Sequence, residues 1–361
     1  MELEFTGDQD DLRDSIKAVL AKESPVTLAR EVVERGTRPT ALWQTMVSLG
    51  WPALTVPEAF GGIGLGPIEA AILAEELGRV IAPGPLLPTV TQFVPAVREC
   101  GSGEQQARFL GAVAAGELSG TLAVGADDPA HATALLDADG TLRGEVRGVV
   151  EGDAVDEVVV VARAGDDVRA VVVPAEQLAA TPIHALDASR RIVHLRADGI
   201  DVPPDRVLER SSGDAVRRAI EEATVGLALE MVGTAQTIFD VTLDYAKQRE
   251  QFGVPIGSFQ AIKHKFADML IALERARATG YFAALTIAED DARRTSAVSV
   301  AKAAAGDCQR LLAKEGIQVH GGIGYTWEHD MHLYVKRLKS GEPLFGSTSW
   351  HRARIADTLG V

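Results

Sequence analysis

A cation, an aromatic ring and an amide lie close together in the segment from Tyr245 to Gln260. Arg249 carries a planar fork of donors that can hold a diphosphate, Phe252 can pack on an aromatic base, and Gln260 offers a donor and an acceptor to a nucleotide edge. A structural interpretation is also open, in which Arg249 pairs with the neighbouring Glu250 and Phe252 fills a hydrophobic core. The segment therefore indicates nucleotide binding without deciding it.

A second segment, residues 317–326, follows a helical pattern and contains three glycines within four positions. Gly321, Gly322 and Gly324 have no Cβ, so backbone N–H groups in this turn can approach an anionic ligand closely. A glycine-rich turn alone is a weak indication. Its combination with the preceding segment strengthens the prediction of a site for a nucleotide.

The charge of the chain argues against polyanionic partners. Lys and Arg number 36 against 51 Asp and Glu, so the formal net charge is -15 and the chain as a whole repels nucleic acid and anionic membrane surfaces. A small anionic ligand remains compatible, because a few local donors can hold a phosphate.

The cysteines and histidines predict neither a disulfide framework nor a metal centre. Cys100 and Cys308 are too few and too far apart for either, and they fit a reducing cytoplasm. The histidines in the last 45 residues or so do not have the spacing of a helical two-histidine metal site. The N-terminus lacks the basic region of a secretory signal, and no apolar run reaches the roughly 18 residues of a membrane span. We therefore expect a cytoplasmic protein.

Three blocks of sequence must position the candidate residues. Residues 1–117 repeat apolar side chains at helical spacing, as in Leu12 and Ile16. Residues 118–211 contain short valine-rich runs between turn residues, and residues 212–361 return to a helical pattern. We predict a mixed α and β (α+β) fold with an N-terminal helical domain, a small middle β-barrel or sandwich domain, and a C-terminal four-helix bundle.

Individual elements follow from the same patterns. One face of a helix of about six turns is predicted from the spacing of Val225, Leu229, Val232, Ala235, Phe239, Leu243 and Ala246. Two further helices are predicted over residues 261–289 and 295–315. Strands are predicted at residues 158–162, 170–173 and 192–195. Gly78 is predicted to end an N-terminal helix.

With these elements in place, the chain resembles the acyl-CoA dehydrogenase family. The segment YAKQREQFGVPIGSFQAIKHKFADM, followed about 50 residues later by IQVHGGIGYTWEHD, is similar to the paired C-terminal motifs of that family. WPALTVPEAFGGIGL followed by AAILAEELGR is similar to its N-terminal helical domain. The order of the three blocks also matches, so the resemblance covers nearly the whole chain.

The resemblance implies an FAD-dependent oxidoreductase acting on a CoA thioester. A carboxylate base would remove the α proton while hydride passes from the β carbon to the flavin, and an electron-transfer flavoprotein or a similar carrier would accept the electrons. In this family a neighbouring subunit holds the ADP half of FAD. By motif, Arg249 would contact the diphosphate, and Phe252 and Gln260 would flank the ADP portion. The same site would be closed by Gln318, Gly321 and Gly322.

The chain departs from the family pattern at the catalytic base. The family commonly places this Glu in a Tyr-Glu-Gly-Thr turn, and here Phe345 occupies its position and cannot accept a proton. Some members carry the carboxylate on the first long C-terminal helix, where the matching residue is Ala223. The adjacent Glu222 is the remaining candidate base, although one residue on a helix is a rotation of about 100°. The alternative is that Glu221 and Glu222 are a solvated pair.

The middle block departs on the flavin side. A Thr-Glu followed by Gly-Ser-Asp would fall near residues 121–128, and a Trp-Ile-Thr-like strand would fall near residues 149–155, and neither is found. The chain is therefore predicted to hold a flavin poorly by itself, whereas its motifs for a neighbour's ADP are intact.

These departures predict a heteromer, most simply a heterotetramer. This subunit would support FAD bound mainly by a related, catalytically complete partner, as in the paired acyl-CoA dehydrogenases that act on steroid side-chain CoA thioesters in lipid metabolism and steroid degradation. Two alternatives remain open. One is a homo-oligomeric dehydrogenase with a non-standard base such as Glu222, and the other is a flavin-free scaffold that keeps the fold.

Overall fold

The computed structural model describes residues 4–124 and 131–360. Its α-helices are α1 (Gly7–Glu23), α2 (Val26–Arg35), α3 (Thr40–Ser48), α4 (Pro67–Arg79), α5 (Leu86–Pro88), α6 (Val94–Cys100), α7 (Gly103–Ala114), α8 (Gly213–Gln248), α9 (Gln260–Ala288), α10 (Arg294–His320), α11 (Met331–Gly341) and α12 (Thr348–Leu359). Its strands are β1 (Gly120–Ala123), β2 (Ala134–Leu136), β3 (Thr141–Val150), β4 (Glu157–Ala164), β5 (Asp167–Pro174), β6 (Ala179–Pro182), β7 (Ile192–Asp201), β8 (Glu250–Gln251) and β9 (Val254–Pro255). The predicted order of helical, β and helical blocks is confirmed.

The chain forms two compact units. The helical unit comprises Met1–Thr37, Ala71–Ala82 and Val225–Val361, and the β-containing unit comprises Arg38–Ala70 and Pro83–Thr224. The predicted domain boundaries after residues 117 and 211 stay a prediction. Among the described residues, no helix is both long enough and apolar enough to cross a membrane.

The core of the helical unit is built on α8. The predicted apolar stripe is buried along this helix except at the half-buried Leu243, and Leu229 and Ala235 are fully inaccessible. The helix has 36 residues, longer than the predicted six turns. Helices α9 and α10 pack side by side. Their outer edges are joined by ion pairs between Arg275 and Asp307 (3.5 Å) and between Lys265 and Glu315.

The prediction that Gly78 ends a helix is wrong, because α4 continues to Arg79. A Cβ on Gly78 would lie 2.0 Å from the carbonyl oxygen of Glu230 on α8. A Cβ on Gly233 would lie 1.8 Å from the carbonyl oxygen of Glu75. The two glycines therefore allow the backbones of α4 and α8 to touch, which is a packing role that helix-end statistics do not reveal.

The β-containing unit is centred on a seven-stranded sheet. Strand β4 pairs antiparallel with β5, and it pairs parallel with β1 and β2. Strands β3, β7 and β6 extend the sheet in antiparallel pairs. The valine-rich runs predicted as strands lie in β4, β5 and β7, and their side chains form the core of this sheet. This burial explains why the runs are continuous rather than alternating.

Candidate functional site

The first candidate segment forms a tight hairpin after α8. Strands β8 and β9 pair through Gln251 and Val254, with Phe252 and Gly253 between them. Both central residues have positive φ, 56° for Phe252 and 79° for Gly253. Positive φ at both positions is the geometry of a type I′ turn, which suits Gly and strains an aromatic residue. The chain therefore holds Phe252 at the hairpin tip at a conformational cost.

The side chains of this hairpin face solvent. Phe252 is 94 % exposed, and its ring makes an edge-to-face contact with the ring of Phe259, with 6.2 Å between ring centroids. The interpretation of Phe252 as a core residue is therefore wrong. Arg249 and Gln260 are also exposed, and among the described residues Arg249 forms no ion pair with Glu250. The guanidinium is thus available to an external anion.

The glycine turn follows the end of α10. Gly321 has φ 64° and ψ -139°, a backbone conformation that side chains other than glycine's rarely adopt. A Cβ added to Gly321 or Gly322 would have no heavy atom within 4 Å. Packing within the chain therefore does not require glycine at 322, and the turn presents bare backbone to an approaching group. Gln318, on the last turn of α10 just before the glycine turn, is also exposed.

An aromatic contact brings the two segments together. Tyr245, one turn before Arg249, stacks on His320, with ring centroids 4.5 Å apart and planes at 22°. The Tyr245 hydroxyl also donates to the carbonyl oxygen of His320 at 3.5 Å. The ends of α8 and α10 are thereby adjacent, so the segment that carries Arg249 and the turn beginning at Gly321 follow neighbouring helix ends.

The histidine in this contact was not predicted as part of the site. His320 is buried, and its Nδ1–H donates to the carbonyl oxygen of Gly316 at 2.8 Å. Burial lowers its pKa, so it is a neutral spacer between the two segments. The available signal was a Tyr four residues before the Arg and a His directly before the glycines.

The other histidines considered for a metal site also bond to the backbone. His332 bonds to the Trp327 carbonyl and His351 to the Phe345 carbonyl, while Nδ1 of His329 accepts from a backbone N–H. No group of three or more His, Cys, Asp or Glu with metal-site geometry occurs among residues 4–124 and 131–360.

The turn that carries Phe345 is fixed by two buried side chains. The ammonium of Lys302 donates to the carbonyl oxygens of Glu342 (2.7 Å) and Gly346 (2.8 Å), and His351 Nε2–H donates to that of Phe345 (2.9 Å). Phe345 itself has a left-handed φ of 51°. Neither Lys302 nor His351 was predicted from sequence. The signal for Lys302 was a lone cation at an apolar position of α10.

The candidate base Glu222 belongs to the β-containing unit and is already engaged. Nη2 of Arg98 donates to its Oε1, and Arg98 also bonds to Glu99. Glu221 is only 3 % exposed, so the interpretation of a solvated glutamate pair is wrong. Glu222 must break its ion pair with Arg98 before it can accept a proton from a substrate.

The segments expected on the flavin side are only partly described. Residues 125–128 lie outside the described residues. Thr121 is fully buried in β1, and its hydroxyl lies 3.0 Å from Oε1 of Gln92 and 2.9 Å from the carbonyl oxygen of Val150. This hydroxyl is therefore engaged within the chain.

Comparison with known proteins agrees with the geometry. Residues 6–117 match the acyl-CoA dehydrogenase N-terminal domain, and residues 213–360 match the acyl-CoA dehydrogenase C-terminal domain. The chain belongs to the acyl-CoA dehydrogenase family. Its enzyme class is therefore that of oxidoreductases acting on the CH–CH group of an acyl-CoA, and the family implies FAD as cofactor.

Individual acyl-CoA dehydrogenases are similar over nearly their whole length. Acyl-CoA dehydrogenase IpdE2 of Mycobacterium tuberculosis is 32 % identical over 340 residues, which are 93 % of this chain and 92 % of that protein. The ChsE4-ChsE5 complex from Mycobacterium tuberculosis gives a TM-score of 0.92 at 26 % identity, over 100 % of this chain and 99 % of the matched chain. A variant of the Tcur3481-Tcur3483 steroid ACAD gives 0.89 at 28 % identity, over 98 % of each chain.

Around its glycine turn, this acyl-CoA dehydrogenase exposes several groups that could contact a nucleotide. Arg249 offers a fork of donors with no competing Glu250, Phe252 offers an open ring face, and the glycine turn offers unobstructed backbone.

Proposed function

We propose that this chain is the supporting subunit of a heteromeric, FAD-dependent acyl-CoA dehydrogenase, most simply a heterotetramer. It supplies the ADP-side contacts to FAD held by a related, catalytically complete subunit. The pair performs α,β-dehydrogenation of a CoA thioester, with a steroid side-chain CoA as the substrate class, and passes electrons to an electron-transfer flavoprotein or a similar acceptor. Two unpaired buried cysteines are compatible with a cytoplasmic location.

The observation that carries this proposal is the exposure of the nucleotide-binding residues. Arg249, Phe252, Gln260 and Gln318 are all exposed around the glycine turn. Because these residues are exposed, they are free to contact a nucleotide that another chain holds. Strain at Phe252, φ 56°, is retained although the ring contributes almost nothing to the fold of the lone chain.

The residues at the candidate base positions support the proposal that the catalytic base belongs to the partner chain. Phe345 has no proton acceptor, and Glu222 is occupied by Arg98. The chain thus lacks a free carboxylate at either family position, whereas the residues expected to contact a neighbour's nucleotide are all exposed. The ChsE4-ChsE5 complex and the Tcur3481-Tcur3483 steroid ACAD, both at TM-scores near 0.9, support a paired assembly and a steroid substrate.

Flavin stoichiometry tests the proposal. The chain is purified alone and after co-expression with a related acyl-CoA dehydrogenase that retains the usual Glu, and bound FAD is counted by its visible absorption. We expect one FAD per pair of chains and little FAD on the isolated chain. A full complement of flavin and dehydrogenase activity in the isolated homomer would refute it.

A homo-oligomeric enzyme with Glu222 as base is the main alternative. Under that alternative, Glu222→Gln abolishes turnover of any acyl-CoA that the isolated chain oxidises. Under our proposal, the same change in the co-expressed pair leaves kcat nearly unaltered, because the base belongs to the partner. If the chain is instead a flavin-free scaffold, the complex purified after co-expression should be colourless, because it contains no FAD.

A further inference from the structure

We propose that Arg30, on α2, is a positioning residue for the cofactor, because it holds the segment that follows the glycine turn and so keeps that turn in the conformation that receives a nucleotide. This inference rests on the proposed function, in which the glycine turn contacts FAD. It adds to the site a residue that lies 300 positions away in the sequence from its ion-pair partner Asp330.

The side chains of the glycine turn do little to fix its shape. Gly321 and Gly322 carry no side chain. Ile323 is 45 % exposed and Tyr325 is 77 % exposed. Within the turn, the backbone N–H and the hydroxyl of Thr326 both donate to the carbonyl oxygen of Ile323 at 3.1 Å. Because glycine loses more conformational freedom on ordering than any other residue, the order of the turn depends on what anchors its two ends.

The two ends of the turn are anchored by different helices. At its start, His320 stacks on Tyr245 of α8. At its end, the carbonyl oxygen of Trp327 accepts from Nη1–H of Arg30 at 2.9 Å. The indole Nε1–H of Trp327 donates to Oε1 of Glu34 at 2.9 Å. Arg30 and Glu34 are one turn apart on α2, so this helix anchors the second end.

Arg30 also binds the segment at a second point. Its Nε–H and Nη2–H both donate to Oδ1 of Asp330, at 3.1 Å and 2.6 Å. The Arg30 side chain is only 20 % exposed, which limits its freedom to leave these partners. A planar guanidinium serves several acceptors in fixed directions, which a lysine ammonium does not. The contacts with Trp327 and Asp330 therefore fix both the position and the direction of the chain between the turn and α11.

Helix α11 holds the same indole from another side. The ring of His332 stacks on that of Trp327, with centroids 4.6 Å apart and planes at 24°, and the Lys336 ammonium lies 4.8 Å from the indole centroid. Nε2–H of His332 donates to the Trp327 carbonyl oxygen at 3.3 Å. All these residues belong to the helical unit. Because α11 keeps its own contacts with Trp327, loss of Arg30 should loosen the segment without releasing it.

A turn that is already ordered binds a ligand at a smaller entropic cost. We therefore compare Arg30→Ala with Arg35→Ala, which removes an exposed arginine of the same helix that forms an ion pair with Glu31. Amide hydrogen exchange of residues 321–326 is measured on the isolated chain, and FAD affinity is measured by titration of the flavin-stripped pair with the co-expressed partner. For Arg30→Ala we expect roughly fivefold to tenfold faster exchange and a similar loss of FAD affinity, equivalent to returning the backbone freedom of about one residue. Arg35→Ala should behave like the wild type in both measurements.

Two further variants separate positioning from a general loss of stability. Arg30→Lys keeps the charge beside Asp330 and loses the fork, so its FAD affinity should lie between those of Arg30→Ala and the wild type. Asp330→Ala should also weaken FAD binding, and the double variant should bind FAD no more weakly than Arg30→Ala, because both changes remove the same contact. Both charged side chains are partly exposed, so the melting temperature of the isolated chain should change little.

Either of two results would overturn the inference. One is unaltered amide exchange of residues 321–326 in Arg30→Ala. The other is equal FAD affinity for Arg30→Ala and Arg35→Ala under conditions in which Arg249→Ala loses FAD. Failure of the proposed function is distinguishable from this second result, because Arg249→Ala would then retain FAD as well.

Discussion

Replacement of Arg249 by Ala should weaken FAD binding by the assembled pair. The guanidinium is exposed and unpaired with Glu250 among the described residues, so the change removes no internal contact of the chain. Charge-assisted hydrogen bonds are worth about 1.5–3 kcal/mol, and solvent exposure places this one near the lower end. A loss of about 2 kcal/mol corresponds to roughly 30-fold weaker binding.

The assay is titration of the flavin-stripped pair with FAD, followed by quenching of flavin fluorescence. Arg249→Lys keeps the charge and loses the planar fork, so its affinity should fall between those of Arg249→Ala and the wild type. Arg35→Ala is the matched control, because Arg35 is an exposed arginine of the same unit that forms an ion pair with its helical neighbour Glu31. Equal FAD affinities for Arg249→Ala and Arg35→Ala would contradict the assignment of the guanidinium to the diphosphate.

Three further predictions concern the hairpin and the turn around residue 345. Phe252→Ser should change the free energy of unfolding of the isolated chain by no more than about 0.5 kcal/mol, because the ring is exposed, and should weaken FAD binding by the pair about fivefold to tenfold in the same titration. Lys302→Met leaves the carbonyl oxygens of Glu342 and Gly346 without the Lys302 donor, so it should cost about 3 kcal/mol and lower the melting temperature, whereas Lys339→Met at an exposed position should not. Burial lowers the pKa of His351 to about 4, so the unfolded chain binds more protons between pH 6.5 and 4 and stability falls as the pH is lowered through that range. His351→Gln keeps a donor for the Phe345 carbonyl and should remove up to about 3 kcal/mol of this pH dependence, as measured by denaturation curves at several pH values. Identical pH profiles of stability for the wild type and His351→Gln would contradict the assignment of the pH dependence to His351.

The sequence predicted the elements of the fold well where one physical signal dominates. The stripe from Val225 to Ala246 predicted α8, because apolar residues at helical spacing have only one way to be buried together. The valine runs predicted β4 and β5 for the same reason. Gly78 was assigned wrongly, because its role depends on the backbone of α8, which is distant in sequence.

The candidate site was less predictable than the fold. The motifs identified Arg249 and Gly321, but the stacking of Tyr245 on His320 that brings them together depends on the packing of two helices. The burial of Glu221 and the ion pair of Glu222 with Arg98 also depend on tertiary contacts, so composition favoured solvated glutamates in error. Phe252 proved to be exposed and not part of the core, and the exposure of a side chain is known only once the chain is folded.

The exposed hairpin tip affects how long the unassembled chain persists in the cell. The isolated chain exposes the aromatic ring of Phe252 and the apolar side chain of Ile271. Exposed apolar surfaces of this kind promote aggregation and degradation by quality-control proteases. Under the proposed pairing, a chain made in excess of its partner should therefore be short-lived, and we expect the two chains to be synthesised in equal amounts.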